Sequence, residues 1–105
     1  MIDWSAITGF DWDENNARKN VDKHGVSQSE AEQIFFNQPL LVLTDSKHSQ
    51  QELRFHALDK TDLKRQLHIT FTLWVRAIGT LIRIISARDM HRKERLIYEQ
   101  EKKDS

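Results

Sequence analysis

Two hydrophobic patterns follow one another along the chain. In the first part apolar residues recur at helical spacing, whereas from Leu40 to Arg88 they mostly alternate with polar residues. The first pattern predicts two helices, one from Asp13 to Gly25 and a second that begins at Ser27, where Ser27 and Glu30 have the spacing of a capping box. The alternation predicts strands joined by polar turns, and "GFDWD" before the first helix predicts a short edge strand.

The predicted strands have one apolar face and one polar face. In "ELRFHA", "LHITFTLW" and "LIRIISAR" the apolar residues share one side of the sheet and the residues between them share the other. Depending on strand register, the polar face then gathers Glu52, Arg54, His56, His68, Trp74 and Arg83. Arg88 has the opposite parity, so we expect it either to anchor the junction with the next helix or to reach the polar face over its edge.

The order of these elements predicts an α+β fold. We expect two N-terminal helices packed on one face of a three- to four-stranded antiparallel sheet, followed by a C-terminal helix in "MHRKERLIYEQE" that Ser86 and Asp89 cap. The 105 residues fit a single domain, 1–105, whose ends at 1–9 and 100–105 we expect to be loosely held.

Charge is unevenly distributed although the formal net charge is zero. Lys+Arg and Asp+Glu each number 16, but residues 1–52 carry four basic and nine acidic side chains, against twelve and seven in residues 53–105. The two halves either pair with each other or leave a basic face for an acidic ligand. Because the chain has no cysteine, no signal-peptide pattern and no apolar run of membrane-spanning length, we expect a soluble cytoplasmic protein without thiol chemistry and without a membrane partner.

The residues of the polar face suit cleavage of RNA without a metal ion. That reaction needs a base for the 2′-hydroxyl, an acid for the leaving 5′-oxygen and cations for the charge that grows on the phosphate. Glu52 or a histidine can serve as the base, and His56 or His68 as the acid. Arg54 and Arg83 can bind phosphate, since a guanidinium matches two phosphate oxygens.

Simpler interpretations of the same residues remain open. Trp74 can stack on a nucleobase, but Glu, Arg and His on an exposed sheet face are also ordinary cross-strand pairs. The five histidines have no i, i+4 spacing among themselves, so we predict no metal site and no cofactor. His24, just before Gly25, can simply cap the end of its helix.

Several motifs resemble, in order and spacing, the BrnT family of bacterial toxins. They are "FDWDENNARKNVDKHGVS", the stretch from Pro39 through Asp45 to "HSQQELRF", "LIRIISAR" and "RKERLIYE", and together they span about residues 10–99. The resemblance implies a fold similar to RelE-type toxins and a ribonuclease that blocks translation and arrests growth. It also implies an antitoxin, BrnA, that binds DNA through a ribbon-helix-helix region and forms a complex of two toxins with two antitoxins.

Carried onto this chain, the resemblance adds residues to those of the polar face. The family pattern falls on Lys23, His24, Gly25, Glu52, Arg54, Arg83, Arg88, Lys93, Glu94, Arg95 and Tyr98. We expect catalytic roles for Glu52, Arg54, His56 and Arg83. We expect RNA binding by Lys23, His24, His68, Trp74, Arg76 and Arg88, and antitoxin binding by Arg92, Lys93, Arg95 and Tyr98. The chain departs from the family at Trp74, where an arginine is usual, and Arg76 two residues later points the same way on a strand.

The hypotheses that follow belong to different classes. The first is an endoribonuclease toxin, and the alternative is a non-catalytic module whose C-terminal helix docks an antitoxin or another protein. Direct DNA binding has little support, because the net charge is zero and no helix-turn-helix pattern is evident, so operator DNA is expected to be bound only through the antitoxin.

Overall fold

The described residues, 2–47 and 52–104 of this computed structural model, form five strands and three helices. In chain order these are β1 (Ile7–Trp12), α1 (Glu14–His24), α2 (Gln28–Gln33), β2 (Leu41–Asp45), β3 (Arg54–Lys60), β4 (Gln66–Arg76), β5 (Gly79–Asp89) and α3 (Arg92–Asp104). Two 3-10 turns, Trp4–Ala6 and Ile34–Phe36, precede β1 and follow α2.

The sheet is mixed, with the strand order β1-β5-β4-β3-β2. Strands β2 to β5 pair antiparallel with their neighbours, but β1 lies parallel to β5. The α+β class is therefore correct, whereas the prediction of three to four antiparallel strands is wrong. A parallel pair needs a long crossover, and here all the other elements up to β4 intervene between β1 and its partner, so local periodicity cannot reveal the pairing.

The two helices between β1 and β2 begin where their caps predict, and α1 also ends where its cap predicts. The Asp13 side chain accepts a hydrogen bond from the Asn15 N–H, and Gly25 ends α1 in the left-handed conformation, with φ 64°. Ser27 and Glu30 form the complete capping box at the start of α2. Each of these caps depends on residues only a few positions apart, so it can be predicted from the sequence alone.

The main core lies between one face of the sheet and the α2 region. It contains Val26, Ala31 and Ile34 from that region and, from the sheet, Phe55, Ala57, Leu67, Ile69, Phe71, Ile82, Ile84 and Ala87. Helix α1 runs along β5, where the buried Asn20 side chain accepts a hydrogen bond from the Ala87 N–H. We call the opposite face of the sheet the polar face.

Helix α3 lies on the polar face, so the three helices do not share one side of the sheet. Its Tyr98 is fully buried with Leu58 and Met90 in a second, smaller core cluster. The predicted cap at Ser86 and Asp89 is wrong, because both residues belong to β5. The first turn of α3 is capped instead by Glu94, whose carboxylate accepts the His91 N–H at 2.8 Å.

The register of β5 shifts by one residue in its middle. Thr70 is opposite Ser86 and Phe71 is opposite Ile84, so Ile85 has no partner on β4. An extra residue in one strand reverses which side of the sheet the following residues face relative to simple alternation. Arg83 and Arg88, an odd number of positions apart, therefore both lie on the polar face, opposite Thr72 and His68.

Described residues near both ends of the sequence contribute to these elements. Residues 7–9 belong to β1 and residues 100–104 to α3, where we expected loosely held segments. Among the described residues, no helix is long and apolar enough to cross a membrane.

Candidate functional site

Helix α3 covers one half of the polar face and leaves the other half open. The covered half contains Leu58, His68 and Arg88, which contact α3. The open half lies toward the β4–β5 turn and contains Arg54, His56, Thr70, Thr72, Trp74, Arg76 and Arg83. We take the open half as the candidate site, because it alone presents the predicted catalytic arginines and His56 together.

Two arginines flank a threonine in one row across the open half. Arg54 in β3 and Arg83 in β5 are both opposite Thr72 in β4. Adjacent strands lie about 4.8 Å apart, so the two arginine backbones are separated by about 10 Å, within reach of a shared phosphate. Arg83 contacts the Asp11 carboxylate in β1 at 3.5 Å and that of Asp13 at 4.0 Å.

His56 lies in the next row and has a partner at each ring nitrogen. Its Nε2 is 3.0 Å from the Asp45 Oδ2, and its Nδ1 is 3.1 Å from the Thr70 Oγ1. The Asp45 side chain is 9% exposed and that of His56 is 29% exposed. The imidazole is therefore held on two sides while part of the ring remains accessible.

Trp74 forms the outer end of the open half. The Arg76 guanidinium carbon lies 3.6 Å from the centre of the indole ring, and that of Arg83 lies 5.1 Å from it. A guanidinium over an indole face is a favourable cation–π contact. Arg76 thus occupies the same face as Trp74, as the alternation within β4 predicted.

His68, predicted to bind RNA, lies in the covered half. The centre of its ring lies 4.8 Å from that of His56, with the two ring planes tilted by 37°, and its Nε2 is 3.9 Å from a Glu94 oxygen. Burial, helped by the nearby Arg88 charge, lowers the pKa of His68 to about 4. His68 is therefore neutral near pH 7 and buried, so it does not offer a cation to phosphate.

Arg88 ties α3 to the sheet. Its guanidinium donates to both Glu94 oxygens, at 2.8 and 2.9 Å, and to the Asp89 carbonyl at 3.1 Å. Burial acts to raise the pKa of Glu94, but the hydrogen bonds from Arg88 and the His91 N–H outweigh it and lower that pKa to about 2. Of the two roles predicted for Arg88, the junction anchor is the one observed, and its predicted parity is wrong because of the extra residue Ile85.

Lys23 and His24 are not near the open half. They form the last residues of α1, where the His24 carbonyl accepts a hydrogen bond from Arg65, whose guanidinium also binds Asp89. Asp89 is six residues from Arg83 along β5, which corresponds to about 20 Å. The structure therefore separates these two predicted RNA-binding residues from the catalytic candidates.

The four residues predicted to bind an antitoxin divide into two groups. Arg92, Lys93 and Arg95 are exposed on α3. Tyr98 is fully buried, and its hydroxyl donates to the Asp59 Oδ1 at 2.8 Å. Tyr98 is therefore a core residue of this chain, because the side of α3 that carries it faces the sheet.

Glu52 is exposed in the connection between β2 and β3, two residues before β3 begins. Sequence reasoning missed the acidic partners of the site, Asp11, Asp13 and Asp45. For Asp45 a signal existed: β2 and β3 form a hairpin, which places an acidic residue at the end of β2 beside the start of β3. In the described part of the chain no group of three or more His, Asp or Glu side chains is arranged to hold a metal ion.

Comparisons with known proteins bear on the family and the fold of the chain. Residues 12–94 match the family model described as "Ribonuclease toxin, BrnT, of type II toxin-antitoxin system". Among solved structures, the 1.1 Å crystal structure of the Brucella abortus ribonuclease toxin BrnT matches with a TM-score of 0.58 at 19% sequence identity, over 80% of this chain and 97% of that one. No curated protein matches the sequence.

The family match covers most of the 105 residues, and the solved structure has the same fold. The resemblance found in the sequence motifs is thereby confirmed. The chain belongs to the BrnT family of ribonuclease toxins of type II toxin–antitoxin systems.

Proposed function

We propose that the chain is an endoribonuclease that cleaves RNA without a metal ion, inhibits translation in the cytoplasm and arrests growth until an antitoxin binds it. One observation carries the proposal: Arg54 and Arg83 flank the buried Thr72 in one row across the sheet, and His56 lies in the next row. Two guanidinium groups beside an imidazole provide phosphate binding and proton transfer at one place.

The two proposed proton-transfer groups flank Arg54 along the chain. Glu52 precedes Arg54 by two residues, in the connection before β3, and His56 follows it by two within β3. Extended backbone spans at most about 3.6 Å per residue, so the Cα atoms of Glu52 and His56 are no more than about 14 Å apart. The 2′-hydroxyl would give its proton to Glu52, and the leaving 5′-oxygen would receive one from His56.

Binding of RNA requires Arg83 to exchange partners. In the absence of substrate its guanidinium contacts Asp11 and Asp13, and a phosphate with two free oxygens would replace those carboxylates. Trp74 and Arg76 lie at the outer end of the same face, where an unpaired base can stack. We therefore propose single-stranded RNA as the substrate.

The cleavage assay that tests this proposal uses the purified chain, a labelled single-stranded RNA and buffers with and without a chelator. We expect cleavage in both buffers and a loss of about 100-fold or more in Arg54→Ala and in Arg83→Ala, since each removes a group that stabilises the transition-state charge. Arg18→Ala, an exposed change on α1, serves as the matched control and should cleave normally. Wild-type rates in both variants would rule out the proposed site, and activity restricted to the chelator-free buffer would rule out metal independence.

The antitoxin is the second part of the proposal. We infer a BrnA-like ribbon-helix-helix partner that forms a complex of two toxins with two antitoxins and that alone contacts operator DNA. Support comes from α3, which exposes Arg92, Lys93 and Arg95 beside the apolar Leu96 and Ile97. Light scattering of the coexpressed pair gives the stoichiometry, and operator-binding assays of each protein alone show which one binds DNA.

A further inference from the structure

The carboxylate of Asp45 and the hydroxyl of Thr70 hold the two nitrogens of His56 from neighbouring strands. Asp45 is at the end of β2, with its Oδ2 3.0 Å from Nε2, and Thr70 is in β4, with its Oγ1 3.1 Å from Nδ1. Both partners are at least nine-tenths buried, so their positions are fixed by the sheet. His56 itself is more exposed than either.

A carboxylate accepts hydrogen bonds only, so it selects the state of the ring in which the facing nitrogen carries a proton. With Nε2–H donated to Asp45, the nitrogen that gains and loses a proton during a reaction is Nδ1. The Thr70 hydroxyl can rotate to donate to Nδ1 or to accept from it, so it is compatible with both protonation states.

We propose that Asp45 is a positioning residue for His56 that keeps the proton on Nε2 and thereby makes Nδ1 the proton donor to the leaving group. The inference rests on the proposed ribonuclease function and deepens it. In the step concerned, the 2′-oxygen loses its proton to the base and attacks phosphorus, and the bond between phosphorus and the 5′-oxygen breaks. His56 begins this step with a proton on each nitrogen. The 5′-oxygen displaces the Thr70 hydroxyl from Nδ1 and takes the Nδ1 proton, and His56 is left neutral with Nε2–H still bound to Asp45.

Burial explains why Asp45 is suited to this role. An exposed carboxylate would be screened by water and would orient the ring weakly. The Asp45 side chain is only 9% exposed to solvent, whereas that of His56 is 29% exposed. The arrangement has the same logic as the carboxylate–imidazole pair of serine proteases, where the carboxylate fixes the tautomer and does not itself become protonated.

A pair of substrates distinguishes this role from a structural one. One is a dinucleotide with the ordinary 5′-oxygen leaving group, and the other has sulfur at that position, which leaves as a thiolate without receiving a proton. For Asp45→Asn we expect kcat on the oxygen substrate to fall about 100-fold, with KM changed less than about 3-fold, and kcat on the sulfur substrate to stay within about 3-fold of wild type. His56→Asn should show the same rescue by sulfur, and Asp45→Glu should recover part of the lost activity.

Asp22→Asn, on the exposed side of α1, is the matched control and should cleave both substrates normally. Equal losses of Asp45→Asn on both substrates, or no loss on either, would overturn the inference while leaving the ribonuclease proposal intact. If wild type cleaves neither substrate, the proposed function fails and this inference fails with it. Should Asp45→Asn not fold, as judged by circular dichroism, the ratio of oxygen to sulfur rates in Asp45→Glu decides: an unchanged ratio overturns the inference, and a lowered ratio supports it.

Discussion

Arg88 in β5 and Glu94 in α3 form a two-pronged ion pair, with both carboxylate oxygens within 2.9 Å of guanidinium nitrogens. Glu94 also accepts the His91 N–H at 2.8 Å, so one carboxylate joins the end of the sheet to the first turn of α3. This pair, together with the buried Tyr98, determines how much of the polar face α3 covers.

Arg88→Ala should therefore lower stability and leave RNA binding nearly unchanged. Losing hydrogen bonds between charged, partly buried groups costs about 1–3 kcal/mol of unfolding free energy. Urea unfolding measures the first effect, and fluorescence anisotropy with a labelled RNA measures the second. Arg18→Ala controls for the loss of a positive charge. A large loss of RNA affinity with unchanged stability would indicate that Arg88 binds RNA.

Stability should fall as the pH drops from 6.5 toward 4, because of His68. Burial lowers its pKa from 6.5 to about 4, so between these values the unfolded chain binds a proton that the folded chain does not. The contribution of neutral His68 to the free energy of unfolding is complete above pH 6.5 and is lost progressively as the pH falls. The loss amounts to roughly 3 kcal/mol by about pH 4. The charged or titratable groups that face the ring are Arg88, Glu94 and His56.

Urea unfolding of wild type and His68→Gln at pH 7, 5.5 and 4.5 measures this dependence. The variant should show a flatter profile, whereas His91→Gln, a change at an exposed histidine, should follow wild type. Parallel profiles for wild type and His68→Gln would contradict the prediction.

Arg65→Ala should destabilise the fold by about 2 kcal/mol or more. Its guanidinium binds the Asp89 carboxylate at 2.7 and 3.0 Å, the Glu30 carboxylate at 3.1 Å and the carbonyls of His24 and Gly25. Because a lysine has no planar fork, Arg65→Lys should recover only part of the loss. Thermal unfolding compares the two variants, and full recovery by lysine would show that charge alone matters.

Trp74→Ala should weaken binding of single-stranded RNA by about 5- to 150-fold, the range that loss of one base-stacking contact produces. Trp74→Phe retains an aromatic face and should lose less. Ile78→Ala, in the same hairpin and 92% exposed, is the control and should bind normally. Anisotropy titrations at fixed salt concentration measure the RNA affinities of the three variants. Equal affinities of Trp74→Ala and wild type would show that Trp74 does not contact the RNA.

Substitutions on the exposed and on the buried side of α3 should have different effects, the first on antitoxin binding and the second on stability. Leu96 and Ile97 are 64% and 48% exposed, so Leu96→Ser and Ile97→Ser should weaken antitoxin binding at least tenfold with little change in stability. Tyr98→Phe removes the hydroxyl that donates to the buried Asp59 and should cost about 1–3 kcal/mol of stability, with antitoxin affinity preserved. Calorimetric titration and urea unfolding separate the two; the reverse pattern would place the antitoxin elsewhere.

Local signals in the sequence were sufficient for some elements. The caps at Asp13, Gly25 and Ser27 depend on residues within three or four positions, and each is observed as predicted. The parallel pairing of β1 with β5 joins residues about seventy positions apart. No local pattern specifies such a contact, since it depends on how the whole sheet assembles.

The candidate site was predictable only where alternation stays regular. Arg54, His56 and Arg83 lie on the polar face as expected, because the pairing of β3, β4 and the first part of β5 is continuous around them. His68 shares that face, but α3 covers it, and helix docking cannot be read from strand periodicity. Asp45 was passed over because its importance lies in a cross-strand contact with His56.

The unpartnered Ile85 has a consequence for changes in chain length. Removing this one residue would place Ser86 directly after Ile84, with Ser86 still opposite Thr70, Ile84 still opposite Phe71 and Arg83 still opposite Thr72. The strand would then alternate regularly, so Ile82 and Ile84 would stay in the core and Arg83 on the polar face. For β5, then, position 85 is a place where the number of residues between Arg83 and Arg88 can change without moving either arginine off the polar face.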